Sequence, residues 1–217
     1  LIPLMIANGM TLAFMFGDFQ TDLTCPVAGP AYTGIVLAAF YGVNAVSSQC
    51  WGCAIASGRI SRRTAFIAAT LCIALFLLAK LVWKAPASYV RGDTETGWER
   101  SGAVSVADVA VVFSLVALFA IGDAFYEAGP PMTLQTFYSG TPDVLPAMAN
   151  YKLWQSLGFA LQFPIGALLR DDPGIRDLLL LALLSISLFA VLILDGCYAR
   201  LDGEGLRQPQ AEQTARP

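Results

Sequence analysis

The chain has 217 residues, 56% of them hydrophobic and 13% charged, with a formal net charge of −3 and a mean hydropathy of +0.62. A soluble domain carries about 25% charged residues, so this composition cannot cover a water-facing surface and reads as an all-α, multi-pass membrane protein. It offers no basic stripe of the kind nucleic-acid binding needs, and with no His the commonest metal ligand and the commonest general base are both missing.

Six apolar stretches divide the chain, each about long enough to cross a bilayer core of roughly 30 Å at 1.5 Å per residue. The first, residues 1–19, holds one charge, Asp18, near its far end, where an interfacial acid is expected; Asn8 and Gly9 suit contact with a neighbouring helix. Residues 20–30, with Pro26, Gly29 and Pro30, read as a short loop. The second span, 31–55, carries Gly34, Ala38, Gly42 and Ala45, which permit close helix approach, with Asn44 and Gln49 as its polar groups. In the turn after it, Arg59, Arg62 and Arg63 form the densest basic cluster of the chain, which places that turn on the cytoplasmic side.

The third span, 64–82, ends at Trp83 and Lys84, which mark an interface. Residues 85–103 are the longest polar loop, mixed in charge, and read as a solvated segment on the opposite side. The fourth span covers 104–128. It runs on to about Tyr138 if helix resumes beyond Gly129, Pro130 and Pro131, which loosen or break the backbone ladder. The fifth covers 147–169, with Pro164 as a kink, Asn150 as a helix cap, Lys152 reaching the cytoplasmic headgroups, and Tyr151 and Trp154 fitting an aromatic belt. The sixth covers 178–194, and residues 199–217 read as a disordered cytoplasmic tail. The chain opens inside an apolar run at Leu1, without a signal peptide, and the expectation is of a piece of a longer protein.

Chemistry concentrates in the fourth span. Asp123 and Glu127 stand four residues apart, so on a helix both carboxyls share one face. Acids in apolar surroundings are costly and are expected to face a bundle interior or a wet cavity. A pair so placed is suited to hold a proton or share a cation; the alternative is two solvated acids at a helix end. The five cysteines read as packing residues, and Cys50-x-x-Cys53 has no second half to complete a metal or redox motif. No nucleophile–base pair, metal cluster or phosphate loop is visible, so neither catalysis nor a cofactor is expected.

Several stretches are familiar. Gly17-Asp18-Phe19, followed by Gly29, Tyr32, Gly34 and Phe40, resembles the seventh and eighth helices of the UNC ninety-three-like family, a branch of the major facilitator superfamily. Asp123-Ala124, with Tyr126 and Glu127, resembles that family's D-A-x-W-Q stretch. The run from Asn150, Tyr151 and Lys152 through Trp154 to Gly158 and Phe159 resembles its N-Y-R-L-W-E-A-L-G-F stretch. Three departures stand out. The family's D-F-T-K is Asp18-Phe19-Gln20-Thr21 here, Glu127 replaces a Gln, and the loop from Gly52 to Arg59 lacks the Asp of the superfamily's inter-helix motif.

The resemblance implies the second six-helix half of a major-facilitator-type bundle, with an N-terminal half as partner. The glycine-rich faces of the first, second, fourth and fifth spans would meet that half, and the third and sixth would face lipid. It also implies an accessory role in the plasma membrane or an endomembrane, since family members regulate potassium channels or escort Toll-like receptors. A channel or receptor is therefore the expected protein partner. A proton- or cation-coupled transporter is the alternative, with Asp123 and Glu127 as the coupling site.

Overall fold

The computed structural model describes residues 1–203 apart from 94 and 96, and side chains as far as residue 194. Its first helix does not end where its first charge appears. α1 (Ile2–Phe16) passes Gly17 into a π-helical turn at Gln20–Thr24 and continues as α2 (Cys25–Ala28). The stretch expected to be a loop is therefore helical. The physical reason is Pro26: its ring presses on the carbonyl four residues back, and the wider π-turn gives the backbone room while keeping the chain helical. The real stop is Gly29, whose φ of 96° is open to glycine and strained for other residues. Tyr89 stacks so closely there that a Cβ on Gly29 would lie 2.7 Å from its ring.

α3 (Thr33–Ala56) and α4 (Arg62–Val82) follow. The turn between them is closed by Gly58 in the left-handed region and by Ser61, whose Oγ accepts from the Thr64 N–H at 3.0 Å. Arg59 and Arg63 are exposed there and Arg62 is half-buried. Within the polar loop expected over 85–103, β1 (Tyr89–Arg91) pairs antiparallel with β2 (Trp98–Arg100), a small hairpin that an all-α reading did not anticipate.

α5 (Val106–Tyr138) is a single helix of 33 residues, and neither Pro130 nor Pro131 breaks it. A proline withholds the N–H that would bond to the carbonyl four residues before it, which for Pro131 is that of Glu127. Tyr151 of α6 (Val144–Leu168) donates its hydroxyl to that carbonyl at 3.4 Å, so a neighbouring helix replaces the missing donor. α6 starts three residues ahead of the expected span. Asn150 consequently sits inside the helix and exposed, instead of capping it, and Tyr151 is fully buried instead of lying in an aromatic belt. α7 (Pro173–Gly203) carries helix past the start of the expected tail; residues 204–217 lie outside the described residues.

Among the described residues five stretches are long and apolar enough to cross a membrane: Ile2–Ala28, Pro30–Ala56, Arg62–Val82, Val106–Tyr138 and Pro173–Leu194. α6 has the length but carries Asn150, Lys152, Gln155, Ser156 and Gln162, and two of these, Gln155 and Gln162, lie on its buried stripe. The chain is an integral, multi-pass membrane protein.

α1 lies against α5, α6 and α7, while α5 packs on α3 and α4, and α4 on α7. The core between them holds a cluster of aromatic rings among aliphatic side chains. Phe76 lies 5.0 Å from Phe119 and 6.0 Å from Phe14, and Phe66 lies 4.7 Å from Phe125, all edge to face. Small residues bring α1 and α6 together: a side chain on Gly9 would strike the backbone of Gln155, and one on Gly158 the backbone of Ile6. α1, expected to face a missing partner, is thus the most enclosed of the spans. α4, expected to face lipid, divides its surface. Ala65, Ala69, Ile73, Phe76 and Lys80 are buried, while Leu71, Leu75, Leu78 and Leu81 point outward.

Candidate functional site

Asp123 occupies the middle of α5 and is completely buried. Its Oδ1 accepts from the hydroxyl of Thr11 on α1 at 3.1 Å, and its Oδ2 accepts from the amide of Asn44 on α3 at 3.1 Å. The carboxyl therefore ties three helices through neutral donors, with no cation among these contacts. Thr11 has a second acceptor in reach, the Asn8 carbonyl at 2.8 Å, although a threonine hydroxyl holds one hydrogen.

A second polar chain lies one turn further along. The amide of Asn8 donates to Tyr151 Oη at 3.0 Å, and Tyr151 donates in turn to the Glu127 carbonyl. Tyr126 shares a 2.7 Å hydrogen bond with Thr70 of α4. The Glu127 side chain is half-buried and lines a cavity of about 260 Å³ with Leu12, Lys152, Gln155, Ser156 and Phe159. There Lys152 donates to Gln155 at 2.7 Å and stands 4.9 Å from the centre of the Tyr151 ring. The two acids thus project from one helix but divide their work, Asp123 enclosed by neutral groups and Glu127 beside a cavity with a lysine.

A third assembly lies at the end of the bundle that carries the hairpin, and here the sequence reading saw only Asp18. Arg176 of α7 donates to Asp18 at 2.9 Å and also bonds to Asp22. Lys80 of α4 bonds to Asp22 and to Asp177, each at 2.8 Å. Gln162 of α6 donates to the second oxygen of Asp18 at 2.6 Å. Lys80, Arg176 and Asp177 are all buried. A signal for this assembly existed: Lys80 stands inside the third apolar run, ahead of the Trp83 that marks its end.

The remaining motif positions scatter. Gly17 lines the cavity beside the ion network, whereas Gly34 faces open space. Trp154 is half-buried, and Asn150 lines a separate, largely apolar cavity with Leu1, Met5, Leu134 and Leu194. Cys50 and Cys53 are free thiols on the exposed side of α3. Among the described residues no group of His, Cys, Asp or Glu is placed to hold a metal ion.

The chain aligns with the protein unc-93 homolog A of Xenopus laevis at 26% identity over 191 residues, 86% of this chain and 35% of that protein. It is similar to the UNC-93 proteins over most of its length. The bovine (Bos taurus) and zebrafish (Danio rerio) proteins of the same name match at 24% identity over 75% of this chain, and over 31% and 30% of their own length. The chain therefore spans about a third of the length of the curated proteins it matches. No family model matches the chain, and no solved structure matches it.

Proposed function

We propose that this chain is the second six-helix half of a major-facilitator-type bundle, within a non-catalytic membrane protein that regulates or escorts a channel or receptor. Kinship with the UNC-93 proteins supports the family setting. The observation that carries the accessory role is the enclosure of Asp123: it is fully buried and each of its oxygens accepts from a side chain of a neighbouring helix, an arrangement that braces the bundle. The uncovered face of α3, where Gly34, Gly42 and Gly52 meet nothing, is the surface on which the other half would pack.

A second reading, a proton- or cation-coupled transporter, is favoured by two details. Glu127 lines a cavity with Lys152, and the hydrogen count around Thr11 would be completed if Asp123 itself carried a proton. Reconstitution of the full-length protein separates the readings. For an accessory protein, proton and potassium flux stay at the level of empty vesicles in both the parent and Asp123→Asn, while surface delivery or gating of a co-expressed potassium channel changes. Flux in the parent that Asp123→Asn abolishes would overturn the accessory reading.

A further inference from the structure

We propose that the ion network at the hairpin end is a latch that closes one mouth of the bundle, with Asp22 as its node and the π-helical turn as its hinge. Four helical segments meet there. Asp22 Oδ2 receives both cations, Lys80 from α4 and Arg176 from α7. Arg176 also reaches Asp18, Lys80 also reaches Asp177, and Gln162 of α6 completes Asp18. The stretch Ile2–Ala28 is thereby strapped to α4, α6 and α7 by charged contacts confined to one end.

The site is shaped to receive this strap. A Cβ on Gly166 would lie 2.5 Å from Asp18 Oδ1, so only a glycine there leaves room for the carboxylate. Asp22 lies within the turn Gln20–Thr24 and Asp18 just before it, a stretch wound wider than the rest of its span. Beside the strap lies a cavity of about 600 Å³, lined by Ala13, Gly17, Asp18, Asp22, Arg176 and, from the hairpin, Arg91. That volume is in the range of small-molecule sites, and the strap forms its wall. Opening the mouth requires the segment from Gln20 to Ala28 to swing away from Lys80 and Arg176.

Three features point to a latch more than to a passive brace. The network is ionic where the middle of the bundle is held by neutral hydrogen bonds. It borders open volume instead of filling the core. It also gathers three carboxylates on two cations, so each cation is shared and neither acid partner of Arg176 holds it alone. Shared contacts of this kind exchange one at a time, which suits a wall that moves.

The test uses the full-length protein in detergent, with native cysteines replaced by alanine and a single reporter cysteine. Ala13→Cys places the reporter on the cavity wall at a position 1% exposed, and Ala65→Cys places one in the core near the other end of α4. A charged, water-soluble maleimide is the probe. Arg176→Gln is expected to raise the labelling rate at Ala13→Cys by about tenfold or more, as a shift of a closed population toward open demands, while Ala65→Cys stays protected. Lys80→Arg keeps the charge and is expected to stay near the parent rate. Unchanged labelling at Ala13→Cys in Arg176→Gln would overturn the latch. So would labelling of both reporters, which would mean that the network braces the whole bundle.

Discussion

The centre of the bundle and its hairpin end both bury carboxylates, by opposite means. At the centre Asp123 is surrounded by a hydroxyl and an amide, groups that satisfy its oxygens without offsetting its charge. At the hairpin end Asp18, Asp22 and Asp177 are met by Lys80 and Arg176. Removing a charge from water costs several kcal/mol per ion, and the cost falls only when a counter-charge and further hydrogen bonds are supplied. The hairpin end supplies both. The centre supplies only hydrogen bonds, one from α1 and one from α3. The comparison separates a site that fixes geometry from one whose contacts are shared and exchangeable.

The largest effect is expected where a charge is stranded. Lys80→Met leaves Asp177 buried without its cation and is expected to cost about 3–5 kcal/mol. Adding Asp177→Leu removes the stranded charge and is expected to recover most of that loss. Thermal unfolding of the purified full-length protein, followed by size exclusion, checks this. Equal losses in the single and double variants would mean that the contacts act through packing and not through charge.

A smaller loss is expected at the centre. Asp123→Ala leaves the amide of Asn44 facing no acceptor, at a cost of about 1–3 kcal/mol. Asp123→Asn, which keeps one oxygen, is expected to cost less. If Asn destabilised as much as Ala in the same unfolding assay, the negative charge itself would be required, and the distinction drawn between the two regions would fall.

The smallest effect concerns the proline repair. Tyr151→Phe removes the donor to the Glu127 carbonyl and the acceptor for Asn8, with an expected loss of about 1 kcal/mol. Pro131→Ala restores a backbone N–H to that carbonyl. In the Tyr151→Phe background it is expected to return part of the loss, a coupling that a double-mutant cycle measures. Strict additivity would show that Tyr151 does not stand in for the missing donor.

The fold class was legible because a 13% charged fraction admits few alternatives. The burial of Asp123 was legible as one of two alternatives, since an acid so deep in an apolar run must find partners. Its partners were not. Thr11 and Asn44 are 112 and 79 residues away along the chain, and nothing in periodicity brings them to one point. Pro26 misled, because it placed residues 20–30 in a loop, and Pro131 left open whether helix stopped near residue 128 or ran on to Tyr138. A π-turn absorbs the first proline and a tyrosine on another helix the second. The ion network escaped because Asp18, Lys80 and Arg176 each stand near the end of an apolar run, where a single charge reads as an interface marker. Only the packing of α1 against α6 and α7 and of α4 on α7 turns these markers into one assembly.

The length of α5 has a consequence for the world outside the bilayer. Its 33 residues measure about 50 Å, against a hydrocarbon core of roughly 30 Å. Even at a tilt of about 40°, the steep limit for membrane helices, the helix is taller than the oil it stands in. Its first two-thirds are the apolar ones, so the surplus falls at the end bearing Thr133, Gln135 and Thr136. α5 is therefore a post that stands above the hydrocarbon core and carries the Tyr138 end into the headgroup layer.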